Sequence, residues 1–129
     1  MHMNKFIKID NVMYRVKDLD QSVKFYTDVL GLKVRWTDKN RQMTGLCFAE
    51  YDTEIVLTSD LNMPDFDLVY LVENVAKFCT EYKNLGYKVQ TEPFDVRCGK
   101  YAVIEDIDDH LLPIIDLTAF GGKARYGEF

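Results

Sequence analysis

One pattern occurs twice in this chain, about 55 residues apart, and it constrains the fold more than any other feature. In the first copy, residues 11–16 alternate between two kinds of side chain, which is the period of a strand, and a helix-like pattern ending at Gly31 follows. In the second copy, residues 67–72 alternate in the same way, and a helix-like pattern ends at Gly86. A repeat that preserves strand, helix and terminating glycine together indicates two copies of one structural unit.

Both predicted helices have a residue suited to begin them and an apolar stripe to bury. Asp18 and Asn74 carry side-chain oxygens that can accept a hydrogen bond from the first helical turn. The apolar residues recur at spacings of three and four, which places them on one helix face: Leu19, Val23, Tyr26 and Leu30 in the first helix, and Val75, Phe78, Tyr82 and Leu85 in the second. We expect each helix to end at its glycine, since a left-handed residue often terminates a helix.

Three strand-like stretches follow each predicted helix. They cover about residues 32–37, 43–50 and 53–58 in the first copy, and about 87–92, 100–106 and 110–117 in the second. The first of them should stop before Asp38, because residues 38–41 are wholly polar and read as a turn. Residues 106–109 form another polar turn, and residues 61–65 link the two copies.

The predicted fold class is therefore α+β, with two tandem βαβββ modules in a single domain that spans residues 1–129. Module one covers about residues 6–60 and module two about residues 66–118, followed by a C-terminal tail at 119–129. A lone module of this kind covers only one face of its sheet with a helix. The other face needs a ligand, the sister module or a second chain.

Alternation along the first strand gives it two faces. We assign Val12, Tyr14 and Val16 to the helix side, because this buries them against the helical stripe. The opposite faces of the strands then form an apolar cleft with few polar groups, which suits a small organic ligand. The predicted ligand-binding residues are Asn11, Met13, Arg15, Val56, Asp67, Val69, Leu111 and Pro113. The alternative is that these side chains fill the space themselves or meet another chain. The faces of Trp36, Phe48 and Tyr101 stay open.

Charge and composition exclude several classes of partner. The net charge is -5, and the sequence has no cluster of Lys and Arg of the kind that binds nucleic acid. No apolar run approaches the ~18 residues of a transmembrane helix, and residues 1–5 lack the apolar segment of a signal peptide. Three cysteines, Cys47, Cys79 and Cys98, fit no zinc spacing and are expected to be reduced thiols. A cytoplasmic protein is predicted.

The opening of the chain resembles that of the vicinal-oxygen-chelate superfamily, which includes glyoxalases, bleomycin-resistance proteins and extradiol dioxygenases. The resemblance rests on Val16-Lys-Asp-Leu19, Phe25-Tyr26 and Leu30-Gly31-Leu32. The second copy matches more loosely, through Tyr70, Val72, Leu85 and Gly86, and through residues 106–110, which look like a degraded Asp-Pro-Asp-Gly-Asn turn. The resemblance covers about residues 6–117 and implies a glyoxalase/bleomycin-resistance-type fold with a concave cleft and, as is common in that family, a homodimer.

Enzymes of that family hold a divalent metal at four strand positions, usually His and Glu, and the metal binds two neighbouring oxygens of the substrate. The resemblance places these positions at Asn11, Val56, Asp67 and Pro113. Val and Pro have no side-chain donor, and one Asn and one Asp do not make the usual site for iron, nickel or zinc. Glu54, on the same face as Val56, would add one carboxylate. We therefore expect no metal and no cofactor.

An intact scaffold without metal ligands favours a metal-independent small-molecule binding protein, as in the bleomycin-resistance branch. Whether the chain is an enzyme stays open. The alternative is a lyase, isomerase or dioxygenase with a nonstandard metal site or with acid–base chemistry through Asp67 or Glu54. A third possibility is a structural or regulatory partner domain. A nucleophilic pair of Cys98 and His110 has no support from spacing.

Overall fold

The computed structural model describes residues 5–129 and contains the two predicted modules in chain order. The first consists of β1 (Lys8–Arg15), α1 (Leu19–Asp28), β2 (Lys33–Asp38), β3 (Met43–Cys47) and β4 (Glu54–Thr58). The second consists of β5 (Phe66–Leu71), α2 (Val75–Asn84), β6 (Val89–Val96), β7 (Gly99–Glu105) and β8 (Leu111–Ile115). A short 3-10 helix (Thr118–Phe120) and β9 (Gly127–Glu128) follow. The α+β class and the βαβββ repeat are confirmed.

Within residues 5–129, neither helix has the length and apolar character needed to cross a membrane.

Both helices begin at their predicted caps, and a left-handed glycine follows each of them within three residues of its last residue. The Asp18 side chain accepts a hydrogen bond from the Gln21 N–H at 3.0 Å, and Asn74 does the same for Lys77 at 2.9 Å. Gly31 and Gly86 both adopt positive φ angles, 79° and 93°, which glycine reaches without steric cost.

The prediction that the last residue of each apolar stripe is buried is wrong. Leu30 is 52% exposed and Leu85 is 45% exposed. The helices end at Asp28 and Asn84, and the chain then turns towards its left-handed glycine, so helical spacing no longer decides which way these leucines point.

Strand ends differ from the prediction by a few residues. β3 stops at Cys47, and β6 continues to Val96. Asp38, predicted to begin a turn, is the last residue of β2 and pairs with Met43. Its carboxylate accepts a hydrogen bond from the Arg41 N–H at 3.2 Å, so one residue both ends the strand and holds the turn. The turn itself, at residues 39–42, is confirmed, as is the turn at 106–109.

The described chain divides into two compact units whose boundaries differ from those of the two modules. The first unit contains Asn11–Asp67 and Arg125–Phe129. The second unit contains residues 5–10 and Leu68–Ala124. Part of the predicted tail therefore belongs to the unit built mainly from module one.

In the first unit the strand order is β1-β4-β3-β2-β9. β1 and β4 run parallel, with Met13 opposite Val56, and β3 is antiparallel to β4 and β2. β9 lies parallel to the outer edge of β2, with Trp36 opposite Gly127. Helix α1 covers one face of this sheet, where a cluster of apolar residues is buried: Leu32, Leu46 and Leu57, with Val16, Leu19, Val23, Tyr26, Phe48 and Ile55 packed against them.

In the second unit the strand order is β6-β7-β8-β5, and β5 is parallel to β8. Helix α2 covers one face over a larger buried cluster: Val72, Val75, Phe78, Cys79, Ala102, Ile104 and Ile114. Phe6 stacks on Tyr70 with ring centroids 4.5 Å apart, and the Ile7 N–H donates to the Leu71 carbonyl at 2.7 Å. Residues near the start of the chain thus complete this core.

A buried carboxylate fastens three segments of the second unit. The Asp116 side chain, fully buried, accepts hydrogen bonds from the Val75 N–H at 2.7 Å and the Lys100 N–H at 2.9 Å. It also accepts from the Thr118 N–H at 3.1 Å and hydroxyl at 2.7 Å. Gly99 makes room for it, because a Cβ there would lie 2.0 Å from Asp116 Oδ1. Four donors satisfy the charge that burial would otherwise destabilise.

Candidate functional site

The face of the first-unit sheet opposite α1 carries a separate apolar cluster. Its buried members are Met13, Trp36 and Val56. Met43 and Met63 are half-buried and pack against them. We call these five residues the Met13 face. Because the α1 stripe packs on a different cluster, the predicted assignment of Met13 and Val56 to the side away from the helix is confirmed. The predicted burial of Tyr14 against that stripe is wrong, since Tyr14 is 39% exposed.

Trp36 reaches the Met13 face through an irregularity in its strand. The register of β2 against β3 shifts between Val34 and Trp36, and such a bulge changes which face the following side chains occupy. The indole then lies across Gly45, the residue opposite it on β3. Sequence alternation could not fix the face of Trp36, because an inserted residue breaks the period of two.

A buried ion pair lies beside the indole. The Trp36 Nε1–H donates to Glu54 Oε1 at 3.0 Å, and Arg35 Nη1 lies 3.5 Å from the same oxygen. Both charged side chains are mostly buried, 15% and 10% exposed. Glu54 is therefore a carboxylate fixed between a hydrogen-bond donor and a cation, at the margin of an otherwise apolar surface.

Residues Arg125–Phe129 cover part of this region. The Phe129 side chain packs against the cluster of Met13, Trp36 and Val56, and its N–H donates to the Thr37 carbonyl at 2.7 Å. The Arg35 guanidinium lies 4.9 Å from the centroid of the Tyr126 ring, within range of a cation–π contact. Phe129, in the predicted C-terminal tail, thus packs on its own chain.

The other predicted ligand-binding residues of the first unit occupy varied positions. Arg15 donates to the Met63 carbonyl at 2.9 Å and pairs with Asp65 at 2.5 Å, so it fastens the 61–65 link to β1. Asn11 is buried and Asp67 is half-buried. Their part in binding stays a prediction.

In the second unit, Val69 is buried, Pro113 is half-buried and Leu111 is 55% exposed. Pro113 lies opposite Val103, and Tyr101 lies opposite Ile115. Tyr101 and Pro113 alternate with Ala102 and Ile114, which pack beneath α2, so they belong to the face away from that helix.

The donors at the family's metal positions do not fit a metal. Val56 lies within the Met13 face, where an ion would meet hydrocarbon and thioether, and Pro113 has no side-chain donor. Across residues 5–129, no three His, Cys, Asp or Glu side chains come together as a metal site would require. His2 lies outside the described residues.

The turn at residues 106–110 is held by hydrogen bonds among its own residues. Asp106 Oδ1 accepts hydrogen bonds from the Asp108 and His110 N–H groups, each at 2.9 Å. Asp106 Oδ2 lies 2.8 Å from His110 Nδ1. The carboxylate is thus used to shape the turn, in keeping with the structural interpretation of this acidic segment.

The thiol of Cys98 is a structural group. It donates to the Asp116 carbonyl at 3.2 Å, whereas His110 pairs with Asp106. Burial, assisted by the charge of Asp10, raises the pKa of Cys98 to about 11. The thiol is therefore protonated at neutral pH, which does not suit a nucleophile.

A shallow groove also lies where β1 meets α1, lined by residues 15–18 with Gln21, Ser22 and Phe25. It is wide open to solvent and contains Arg15 alone of the predicted ligand-binding residues. Ligand sites usually enclose most of their ligand's surface, so this open groove is a poor candidate.

Comparison with known proteins identifies the family. The profile of the Glyoxalase/Bleomycin resistance protein/Dioxygenase superfamily matches residues 8–114. The chain belongs to this superfamily. The lactoylglutathione lyase of Salmonella typhimurium is 30% identical over 130 residues, which cover 89% of this chain and 96% of that protein. The probable chloroplastic lactoylglutathione lyase of Arabidopsis thaliana is 33% identical over 121 residues, and the match covers 82% of this chain but spans only 35% of that protein.

Solved structures share the fold. The methylmalonyl-CoA epimerase of Mycobacterium tuberculosis superposes with a TM-score of 0.62 at 15% identity and covers 100% of this chain and 93% of that one. A superfamily member from Vibrio splendidus gives a TM-score of 0.55 at 15% identity, over 81% of this chain and 93% of that one. At such identities the likeness concerns the fold alone, and it confirms the predicted glyoxalase/bleomycin-resistance-type fold.

Proposed function

We propose that this superfamily member binds a small organic molecule on the Met13 face without the help of a metal. The observation that carries the proposal is the place of Val56. The family resemblance assigns a metal ligand to this position, and the residue is instead buried against Met13 and Trp36. A divalent cation requires donors that replace its water shell, whereas an apolar surface of this kind favours an organic ligand.

The composition of the Met13 face supports the same function. Three of its five residues are methionines, whose flexible, polarizable side chains adapt to ligand shape. The pair of Glu54 and Arg35 provides a polar group at its margin. A mostly apolar surface with one fixed polar group is typical of small-molecule sites.

Metal analysis and thermal unfolding test the proposal. Protein purified without chelator should contain no stoichiometric iron, nickel or zinc, and its melting temperature should not change when a chelator is added. A library of small aromatic and heterocyclic compounds should contain some that raise the melting temperature, because a ligand selective for the folded state stabilises it. One tightly bound transition metal ion per chain would overturn the metal-independent function.

A lyase is the second candidate, favoured by the near full-length match to lactoylglutathione lyases. In this case Glu54 or Asp67 would act as the acid–base group. Incubation with glutathione and a small 2-oxoaldehyde, with and without added divalent metal, would show turnover as a gain of the thioester's ultraviolet absorbance, because the equilibrium of such a lyase favours the thioester. Turnover that disappears in Glu54→Gln or Asp67→Asn, with folding intact, would favour the lyase over the binding protein.

The assembly we propose is a cytoplasmic homodimer. The three cysteines are free thiols, which suits a reducing compartment. Phe25, Val29 and Val34 are each about half exposed or more, and exposed apolar groups often mark subunit contacts. Light scattering at micromolar concentration should give twice the chain's mass of 15.1 kDa. A monomer mass under these conditions would contradict the dimer.

A further inference from the structure

The Met13 face is occupied by a segment of the same chain. Phe129 packs against its buried residues, as a ligand of the proposed function would have to do. We call Arg125–Phe129 the strap. Its arrangement raises the question of whether it is a permanent part of the core or a displaceable cover.

The strap pairs with β2 over a short, exposed strand. Its strand β9 has two residues, Gly127 and Glu128, and both are exposed. Besides this short pairing, the Phe129 N–H donates to Thr37 at 2.7 Å and the Lys39 N–H donates to the Phe129 carbonyl at 3.4 Å. Tyr126 is 55% exposed although its ring faces Arg35. Segments whose backbone hydrogen bonds are exposed to solvent open at lower free-energy cost than the buried core.

The surface against which Phe129 packs suits an aromatic ring. It is made of the Trp36 indole, the Val56 side chain and thioethers such as that of Met13. Thioether sulfur makes favourable contacts with aromatic rings, and indole offers an edge or a face to a second ring. A ring from a ligand would find the same surroundings that the Phe129 ring finds now.

We propose that the strap fills an aromatic-ring subsite, and that a ligand carrying an aromatic ring binds by displacing it. This inference rests on the proposed binding function and names the ligand class. If the open state is the minor one, at 0.1–10% of the population, the strap weakens the apparent affinity for such a ligand by about tenfold or more.

Trp36 is the sole tryptophan of the chain and lies under the strap, 5% exposed. Acrylamide quenching of its fluorescence therefore reports opening without any ligand. Anilinonaphthalene sulfonate, an aromatic dye, serves as the binding probe. Phe129→Ala should raise the quenching constant several-fold and tighten dye binding about tenfold. Glu128→Ala, an exposed position on the same strand, is the matched control and should behave like the parent.

Gly127→Val releases the strap by a second route that leaves the Met13 face unchanged. Gly127 has a φ of 109°, and an added Cβ would meet no atom within 4 Å. The strain of a β-branched residue at positive φ is thus confined to the strap backbone. This variant should reproduce the quenching and dye-binding changes of Phe129→Ala. If circular dichroism shows that Phe129→Ala is unfolded, Gly127→Val alone tests whether the strap is displaceable.

Unchanged Trp36 quenching in both variants would overturn the proposal that the strap is a displaceable cover. Greater quenching without tighter dye binding would overturn the aromatic subsite. These outcomes are distinct from failure of the proposed function. A compound from the thermal screen that binds parent, Phe129→Ala and Gly127→Val equally well would sustain the binding function while excluding displacement of the strap.

Discussion

The indole of Trp36 lies so close to Gly45 on the neighbouring strand that a Cβ at Gly45 would be 2.0 Å from Nε1 and 2.3 Å from Cε2. Position 45 must therefore be glycine for the ring to lie across β3. The same placement directs Nε1 to Glu54. A glycine with an ordinary strand conformation thus determines the shape of the Met13 face.

Gly45→Ala should destabilise the fold and move the indole. Overpacking of this kind costs about 1–3 kcal/mol, and loss of the Nε1 hydrogen bond should shift the Trp36 emission maximum. Urea unfolding followed by circular dichroism measures the cost. In a Trp36→Leu background the cost of Gly45→Ala should shrink, since the clashing ring is gone. An equal cost in both backgrounds would show that the ring is not its cause.

Asp116→Asn should be among the most destabilising single changes in the second unit. The carboxylate accepts from Val75, Lys100 and Thr118 while fully buried, and an amide nitrogen would face a donor. We expect a loss of about 3 kcal/mol or more, because hydrogen bonds to buried charged groups are worth about 1.5–3 kcal/mol each. Asp106→Asn, in the solvent-facing turn, is the control and should cost less than about 1 kcal/mol. Equal costs would contradict the role of Asp116 in holding the three segments together.

Stability should fall between pH 9 and 11. Burial raises the pKa of Cys98 from 9.0 to about 11, and burial, with Glu92, raises that of Cys79 to about 11. In this window the unfolded thiols lose protons that the folded ones keep, so ionisation favours unfolding. The stabilisation is complete below pH 9 and is lost as the pH rises to about 11.

Each thiol should contribute on the order of 2–3 kcal/mol to this loss. Urea midpoints of the parent and Cys98→Ala across the window measure it. The decline should be shallower in Cys98→Ala, whatever the variant's stability at neutral pH. Parallel declines would mean that Cys98 does not resist ionisation.

Asp67→Asn tests the predicted polar contact of the ligand. If Asp67 accepts a hydrogen bond from a ligand amine or hydroxyl, the variant should bind about ten- to a hundredfold more weakly, since hydrogen bonds to charged groups are worth about 1.5–3 kcal/mol. Folding should survive, because Asp67 is only half-buried. Calorimetry with the best compound from the thermal screen measures the affinity. An unfolded variant whose folded fraction keeps full affinity would make Asp67 a structural residue.

Features that depend on neighbouring residues were predictable from the sequence. The caps at Asp18 and Asn74 and the left-handed Gly31 and Gly86 involve residues within one helical turn, and side-chain alternation placed Met13 and Val56 on the face away from α1. The two modules followed from these signals and from the repeat.

Features that depend on distant residues could not be read in this way. The face of Trp36 is set by a bulge against β3, and the strap pairs with a strand some 90 residues earlier in the chain. Asp116 receives donors from three separate segments. The one local hint was an acidic residue directly after the apolar run Leu111–Ile115, where an unpaired charge would be costly.

The stacking of Phe6 on Tyr70 bears on how this chain can be divided. The repeat suggests a cut between the modules, near residues 61–65, as the natural way to obtain two halves. Such a cut would leave Phe6 on one fragment and its partners Tyr70 and Phe78 on the other, and would separate Phe129 from Met13 in the same manner. Each fragment would carry a piece of the other's core, so neither half of the repeat is a self-contained folding unit.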